Sequence, residues 1–404
     1  MRLFGIKLFV LGVLSSILAF AGTNDDEKLV KADLVRKLLI ERVLFQPADL
    51  IQLDEGKIVV KAIPTKDKQI VSVFGIVRLA DISAVSMDTF RASLTQRGNK
   101  AMKGGTKFSE PPVIDDLNDL ELVEKDFKVL RKCVPGDCDL NMSAESIKKL
   151  GAEIDWNAPD HKERVTAMLR DMLFRYVSDY AAGGDRSLGS YSNRKEPVDL
   201  AVSHRMLLTD SLFANDLSPE VVGYFTDFPN RQLNGAASEM HWSTVDFGLK
   251  PAITLTQTLA FDGSQNGLKR FVVANKQIYA SRYLDASLSF TMLVGTGANE
   301  PGGYLIFTDR SQSDALDGLL SGVARSVVER EAVEKVKGVL QNAELRLIAG
   351  NKPSEPAEGT PDGPSIGSQL VGWFRQPIGI VVLLTIAGAA IFAFFRSIQK
   401  RRQE

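Results

Sequence analysis

Cysteine and histidine are scarce: the 404 residues hold two cysteines and three histidines. That leaves little for a metal centre of the usual kind. An excess of charge is lacking too, since 49 Lys and Arg stand against 50 Asp and Glu, a net charge of -1. So balanced a chain has no global field to draw nucleic acid or acidic substrates, and no basic stretch with interleaved aromatics appears. The sequence therefore argues against nucleic acid as a partner. Catalytic signatures are missing as well: there is no G-x-S-x-G, no H-E-x-x-H and no P-loop. The paired acids Asp25-Asp26 and Asp115-Asp116 are adjacent in sequence and suit caps or loops better than acid–base work. No cofactor is expected. An active site assembled from distant segments stays open as a third-ranked reading.

What is present is ordinary globular composition, 44% hydrophobic and 25% charged. The chain is organised around Ile378 to Phe395, an apolar run without charge. At 1.5 Å per residue it reaches roughly 27 Å, close to a bilayer's hydrocarbon core. Trp373 and Phe374 precede it, and Arg396, Lys400, Arg401 and Arg402 follow it. The positive-inside rule puts that basic tail in the cytoplasm. At the other end, Arg2 and Lys7, the apolar Leu8 to Phe20 and the small-x-small Ala19-Phe20-Ala21 read as a signal peptide. The expected organisation is a signal peptide at 1–21, an ectodomain at 22–349, a linker at 350–372, a transmembrane helix at 373–395 and a basic tail at 396–404. The expected location is a bacterial inner membrane, crossed once, with the N-terminal domain in the periplasm. The tripeptide Asn141-Met142-Ser143 is a glycosylation sequon that hints at another setting.

Within the ectodomain, Lys28 to Val43 suits a short amphipathic helix closed by Pro47. Lys57 to Ala62 and Gln69 to Leu79 read as strands, Ser83 to Leu94 as a helix, and Arg97 to Gly105 as a loop. Cys133 and Cys138 flank a Pro135-Gly136 turn, which suits a disulfide in an oxidising compartment. Free thiols or a redox or metal role are the other readings of this pair. Pro159 to Ala182 is a helix whose Val165, Met168, Leu169, Met172, Leu173, Tyr176 and Tyr180 share one face, which reads as core. His204 and His241 read as ordinary polar or half-buried residues.

Between Asp246 and Leu347 the pattern turns to period two. Ile253, Leu255, Leu259 and Phe261 alternate with Thr254, Thr256 and Thr258. Strands at 268–283, 286–294 and 304–308 complete an antiparallel meander, and a helix over about 313–347 follows. Gly318, Gly322 and Ser326 form a small stripe that would let this helix approach a sheet closely.

Two resemblances follow from these stretches. Gly56 to Leu94 with Phe247 to Leu347 resembles the helix-grip fold of START and polyketide-cyclase-like lipid-binding proteins. That resemblance implies an antiparallel sheet around the last helix, an apolar cavity between them, and a largely helical insertion at 115–240. The fold class expected is thus α+β, helix-grip-like, plus the C-terminal transmembrane helix. Cys133 to Cys138 (CVPGDC) and Lys276 to Leu288 (KQIYASRYLDASL) are similar to motifs of an uncharacterised bacterial family with an export signal and a C-terminal anchor. The family motif has a histidine where this chain has Arg282.

Strand alternation puts Gln277, Tyr279, Ser281 and Tyr283 on one face of the sheet, and Lys276, Ile278, Ala280 and Arg282 on the other. The candidate ligand contacts are Lys276, Gln277, Tyr279, Arg282, Tyr283 and Asp285, with Asp285 capping a turn or pairing with Arg282. A plain surface with a tyrosine core is the competing reading. The functional expectation is binding of a lipid or other apolar molecule at the membrane surface without chemistry. A structural or assembly partner of an inner-membrane complex is the alternative, with Thr385, Ala389 and Ala393 as a small-residue stripe for helix association.

Overall fold

The computed structural model describes residues 34–94, 102–246, 250–313, 316 and 321–349. The expected signal peptide, linker, membrane span and tail lie outside these residues.

A helix through 34–41 (α1) leads into α2, Pro47–Asp54. Pro47 therefore opens a helix rather than closing one; at the first helical position its missing N–H costs nothing. Strands β1 (Val59–Ala62) and β2 (Ile70–Leu79) follow, then α3 (Met87–Leu94) and β3 (Met102–Lys107). Next come α4 (Glu124–Leu130), α5 (Ala144–Glu153) and α6 (His161–Gly183), and the short hairpin β4 (Ser190–Tyr191) and β5 (Val198–Asp199). Helices α7 (Leu200–Asp210), α8 (Leu212–Leu217) and α9 (Pro219–Asp227) precede the main strands. Those are β6 (Ala236–Asp246), β7 (Pro251–Asp262), β8 (Arg270–Ala280), β9 (Ala286–Gly295) and β10 (Gly303–Gln312), with α10 (Ser321–Ile348) last. Side-chain caps fix two starts: Ser143 accepts from the Ser146 N–H before α5, and Asp199 from the Val202 N–H before α7.

All strands but β4 and β5, which pair only with each other, form one eight-stranded antiparallel sheet in the order β1-β2-β10-β9-β8-β7-β6-β3. The meander β6 to β10 is its middle. The N-terminal hairpin joins at one edge and β3 at the other. One face carries Val71, Val73 and Val77 of β2, Leu305 and Phe307 of β10, and Phe271 and Val273 of β8. Helix α10 lies there through Val328, Ala332, Val336, Leu340, Ala343 and Leu347, beside Phe90 and Leu94 of α3. The other face carries Phe74, Ile76, Ile306, Phe290 and Val272 under α1, α2 and α7 to α9. Farther along it, Trp242, Ile253, Leu255 and Tyr279 meet Leu169, Leu173 and Val177 of α6.

The expected fold class needs correcting. The chain is α+β with an antiparallel sheet, but helices cover both faces, so the sheet does not simply wrap its last helix. Residues 115–240 supply most of the second layer rather than a peripheral insertion. Among the described residues no helix is long and apolar enough to cross a membrane, and the run Ile378 to Phe395 lies outside them. Within the described residues the close approach of α10 is provided by the sheet; of the expected helix stripe, Gly318 lies outside them. A Cβ on Gly75 would sit 2.7 Å from both Val336 and Leu340, whereas Ser326 is exposed.

Candidate functional site

The candidate residues cluster on β8 and the turn after it, and the strand does not keep its alternation. Thr256 pairs with Gln277, but the next residue, Leu255, pairs with Tyr279. Ile278 is the extra residue of a β-bulge, which reverses every later side chain. Lys276, Ile278 and Tyr279 therefore share the face covered by α6 to α9, and Gln277 lies on the α10 side. The expected faces are wrong from Tyr279 onward for this reason.

Tyrosines take over the hydrogen bonds around the bulge. Pairing with β9 ends at Gln277 and Ser287. Beyond it, the Tyr176 hydroxyl donates to the Ile278 carbonyl (2.7 Å), and the Tyr191 hydroxyl accepts from the Ala280 N–H (3.0 Å). Tyr279 donates to the Asn141 carbonyl at 3.1 Å. Its ring centroid lies 5.6 Å from that of Tyr176 and 6.0 Å from that of Tyr191. Burial pushes all three hydroxyls above their ordinary pKa, so they stay protonated, Tyr176 and Tyr279 donating and Tyr191 accepting.

This tyrosine cluster reaches a cleft of about 450 Å³ between α5, α6 and the segment 187–191. Met142, Met168, Met172, Tyr176, Tyr191 and Tyr279 are among its walls, and Lys149, Asp171 and Arg175 also line it. Val165, Leu169, Leu173 and Tyr180 of the expected stripe are core, whereas Met168, Met172 and Tyr176, every fourth residue, are half-buried and line the cleft. Asn141 sits behind Tyr279, whose hydroxyl bonds its carbonyl. Its side chain is buried and donates to the carbonyls of Ala280 (3.0 Å) and Leu284 (3.1 Å). The sequon asparagine is thus committed inside the fold and is no glycan acceptor.

Cys133 and Cys138 are joined as a disulfide, with Cα atoms 4.5 Å apart. Their loop is tied to the strip beside Tyr191: the Gly136 and Cys138 N–H groups donate to the carbonyls of Ser192 (2.8 Å) and Asn193 (2.9 Å).

The remaining candidates go elsewhere. The Lys276 ammonium is fully buried against the carboxylate of Asp185 and lies 5.6 Å from the Tyr180 ring centroid. Desolvation lowers its pKa even so. Asp185 lines a separate cleft of about 740 Å³ with Arg186, Arg205 and Arg231. Arg282 pairs with Asp126 at 2.6 Å and donates to the Pro251 carbonyl. Asp285 pairs with Arg194 at 2.7 Å, not with Arg282. The Tyr283 hydroxyl bonds the backbone of Lys250. These residues do not converge on one ligand position; Tyr279 alone of the six lines the 450 Å³ cleft.

The opposite face of the sheet holds what the sequence reading missed. Register aligns Glu239, Thr258, Asn275, Ser289 and Asp309 in one cross-strand row, and His241, Thr256, Gln277, Ser287 and Ser311 in the next. Glu239 is half-buried; the other nine are 0–2% exposed. The first row satisfies itself in part, since Thr258 bonds Asn275 at 2.8 Å. Glu239, beside His241 and Lys107, is held down to about 2. In the second row Ser311 bonds Ser287 at 2.9 Å, but Thr256 Oγ1, both amide atoms of Gln277 and His241 Nδ1 have no protein partner. A buried polar group left so costs about 1–3 kcal/mol. The available signal was chemical: on β7 to β9 these alternating positions are Thr, Asn, Gln and Ser rather than the Lys and Glu of a solvated face.

Compared with known proteins, the chain matches no family model, no curated protein and no solved structure. Among the described residues no group of three or more His, Cys, Asp or Glu is placed to hold a metal ion.

Proposed function

We propose that this is a non-catalytic binding protein of the bacterial envelope that takes a lipid-like apolar molecule into the cleft between α5 and α6. The observation that carries this reading is the cleft of about 450 Å³, walled by methionines and tyrosines, with charged side chains among its lining. That size lies within the range of small-molecule sites. Methionine side chains adapt to irregular apolar shapes, and tyrosines offer an apolar ring with a polar tip. The apolar run Ile378 to Phe395 and the leader-like N-terminus support a location at the inner membrane, with the disulfide in an oxidising compartment.

Native mass spectrometry of the full-length chain tests the proposal. The expected spectrum carries a stoichiometric apolar adduct that Met168→Trp, which fills the cleft, removes. A bare protein that also takes up nothing from phosphatidylethanolamine and phosphatidylglycerol vesicles would overturn it. Co-purifying protein in place of a small adduct would favour an assembly partner.

A further inference from the structure

We infer that the unsatisfied row on the other face of the sheet, His241, Thr256 and Gln277, is the floor of an enclosed site for a small neutral polyhydroxylated ligand. The site is distinct from the α5–α6 cleft, because it lies on the opposite side of the sheet.

Three observations carry this. The row is contiguous: His241 faces Thr256 in the β6–β7 register, and Thr256 faces Gln277 in the β7–β8 register. Its members are 1%, 2% and 0% exposed, yet His241 Nδ1, Thr256 Oγ1 and both Gln277 amide atoms lack partners. The pairs next to it are bonded, since Ser243 bonds Thr254 at 2.8 Å on one side and Thr258 bonds Asn275 at 2.8 Å on the other. A sheet that bonds the adjoining pairs and leaves these three residues open keeps their hydrogen-bonding capacity for something else.

The chemistry of the row selects the ligand class. The amide of Gln277 donates and accepts, and so does the hydroxyl of Thr256. The charges flanking His241 on this face are Lys107, its register partner on β3, and Glu239, 3.4 Å from His241 Nε2, and they offset each other: Glu239 lies 3.0 Å from Lys107 and 3.6 Å from Arg91. Neither an anion nor a cation is favoured, whereas neighbouring hydroxyls, each donor and acceptor, match. Three residues on adjacent strands span roughly 10 Å, about the length of a mono- or disaccharide. Of the described helices on this side, α10 packs chiefly on α3, β1, β2 and β10, and Phe90 of α3 meets Phe271, toward the far end of β8.

The test is titration of the full-length chain with glucose, N-acetylglucosamine and glycerol, followed by calorimetry and melting temperature. At least one probe is expected to bind saturably at low millimolar concentration or below. Thr256→Val and Gln277→Leu keep shape while removing the open groups. Each should weaken binding roughly tenfold or more, with the melting temperature unchanged or raised, because an unmet buried group is removed. Met168→Trp, in the other cleft, should leave this binding unchanged. A lower melting temperature in both variants would show that the row is structural, and no saturation by any of the three probes would show that it holds water only; either result overturns the inference.

Discussion

Gln277 and Tyr279, two residues apart on β8, face opposite sides of the sheet, because Ile278 is bulged between them. The bulge gives one strand two chemical faces: polar side chains toward one layer, and a tyrosine cluster toward the α5–α6 cleft. It also leaves backbone groups that the ladder does not meet, and tyrosine hydroxyls meet them.

Tyr176→Phe tests that last point. It keeps the ring and removes the donor to the Ile278 carbonyl. The carbonyl then loses its partner, and the expected loss is about 1–3 kcal/mol of unfolding free energy in a urea titration. A variant as stable as the parent would mean that water replaces the hydroxyl freely.

Asp309 should give the protein a measurable pH dependence. Burial raises its carboxyl to about 7, against the opposing hydrogen bonds of Ser311 and Ser287. The folded state then holds a proton that the unfolded chain releases near pH 4. Stability from this group is present below about pH 4 and falls as pH rises to about 7, by roughly 4 kcal/mol in all. His204, buried and held well below its ordinary value by desolvation, has the opposite slope below pH 6.5. The clean readout is therefore the difference between the parent and Asp309→Asn. The variant should gain stability relative to the parent as pH rises from 4 to 7, then hold a constant advantage.

Lys276 and Asp185 form an unequal pair: the ammonium is fully buried and the carboxylate is 20% exposed. Removing the exposed partner strands the buried charge. Asp185→Asn should therefore destabilise by roughly 3 kcal/mol, and Lys276→Met in the same background should recover most of the loss. Thermal or chemical unfolding of the two single variants and the double variant measures the coupling.

Gly75 is the contact point between β2 and α10, where Val336 and Leu340 occupy the space a side chain would need. Gly75→Val should cost about 1–3 kcal/mol through overpacking, although valine favours strands. Trimming Leu340 to alanine should make the valine less harmful, which circular-dichroism melts of the single and double variants would show.

Much of the sheet was legible because β7 alternates Thr with Leu and Ile, and the short connections of β7 to β10 dictate a meander. The faces of β8 were not, since a bulge leaves no mark in a sequence whose residues on both sides suit a strand. Strand β6 was missed because only Met240 and Trp242 mark its apolar face, in alternation with Glu239, His241 and Ser243, and that is a short signal. The cleft was hidden for a different reason. Met168, Met172 and Tyr176 have core spacing, and only the placement of α5 and of segment 187–191 decides whether such a stripe is filled or open. Charge pairings such as Arg282 with Asp126, 156 residues apart, depend on how the helical layer folds back over the sheet.

The most direct measurement is photocrosslinking in the intact bacterial host, with photo-methionine replacing methionine so that Met168 and Met172 keep their size. After irradiation, the peptide carrying these two residues is examined by mass spectrometry. A ligand in the α5–α6 cleft predicts an apolar small-molecule adduct on that peptide, absent when both positions are leucine. A crosslinked protein there, or a peptide that has reacted only with water, would contradict it.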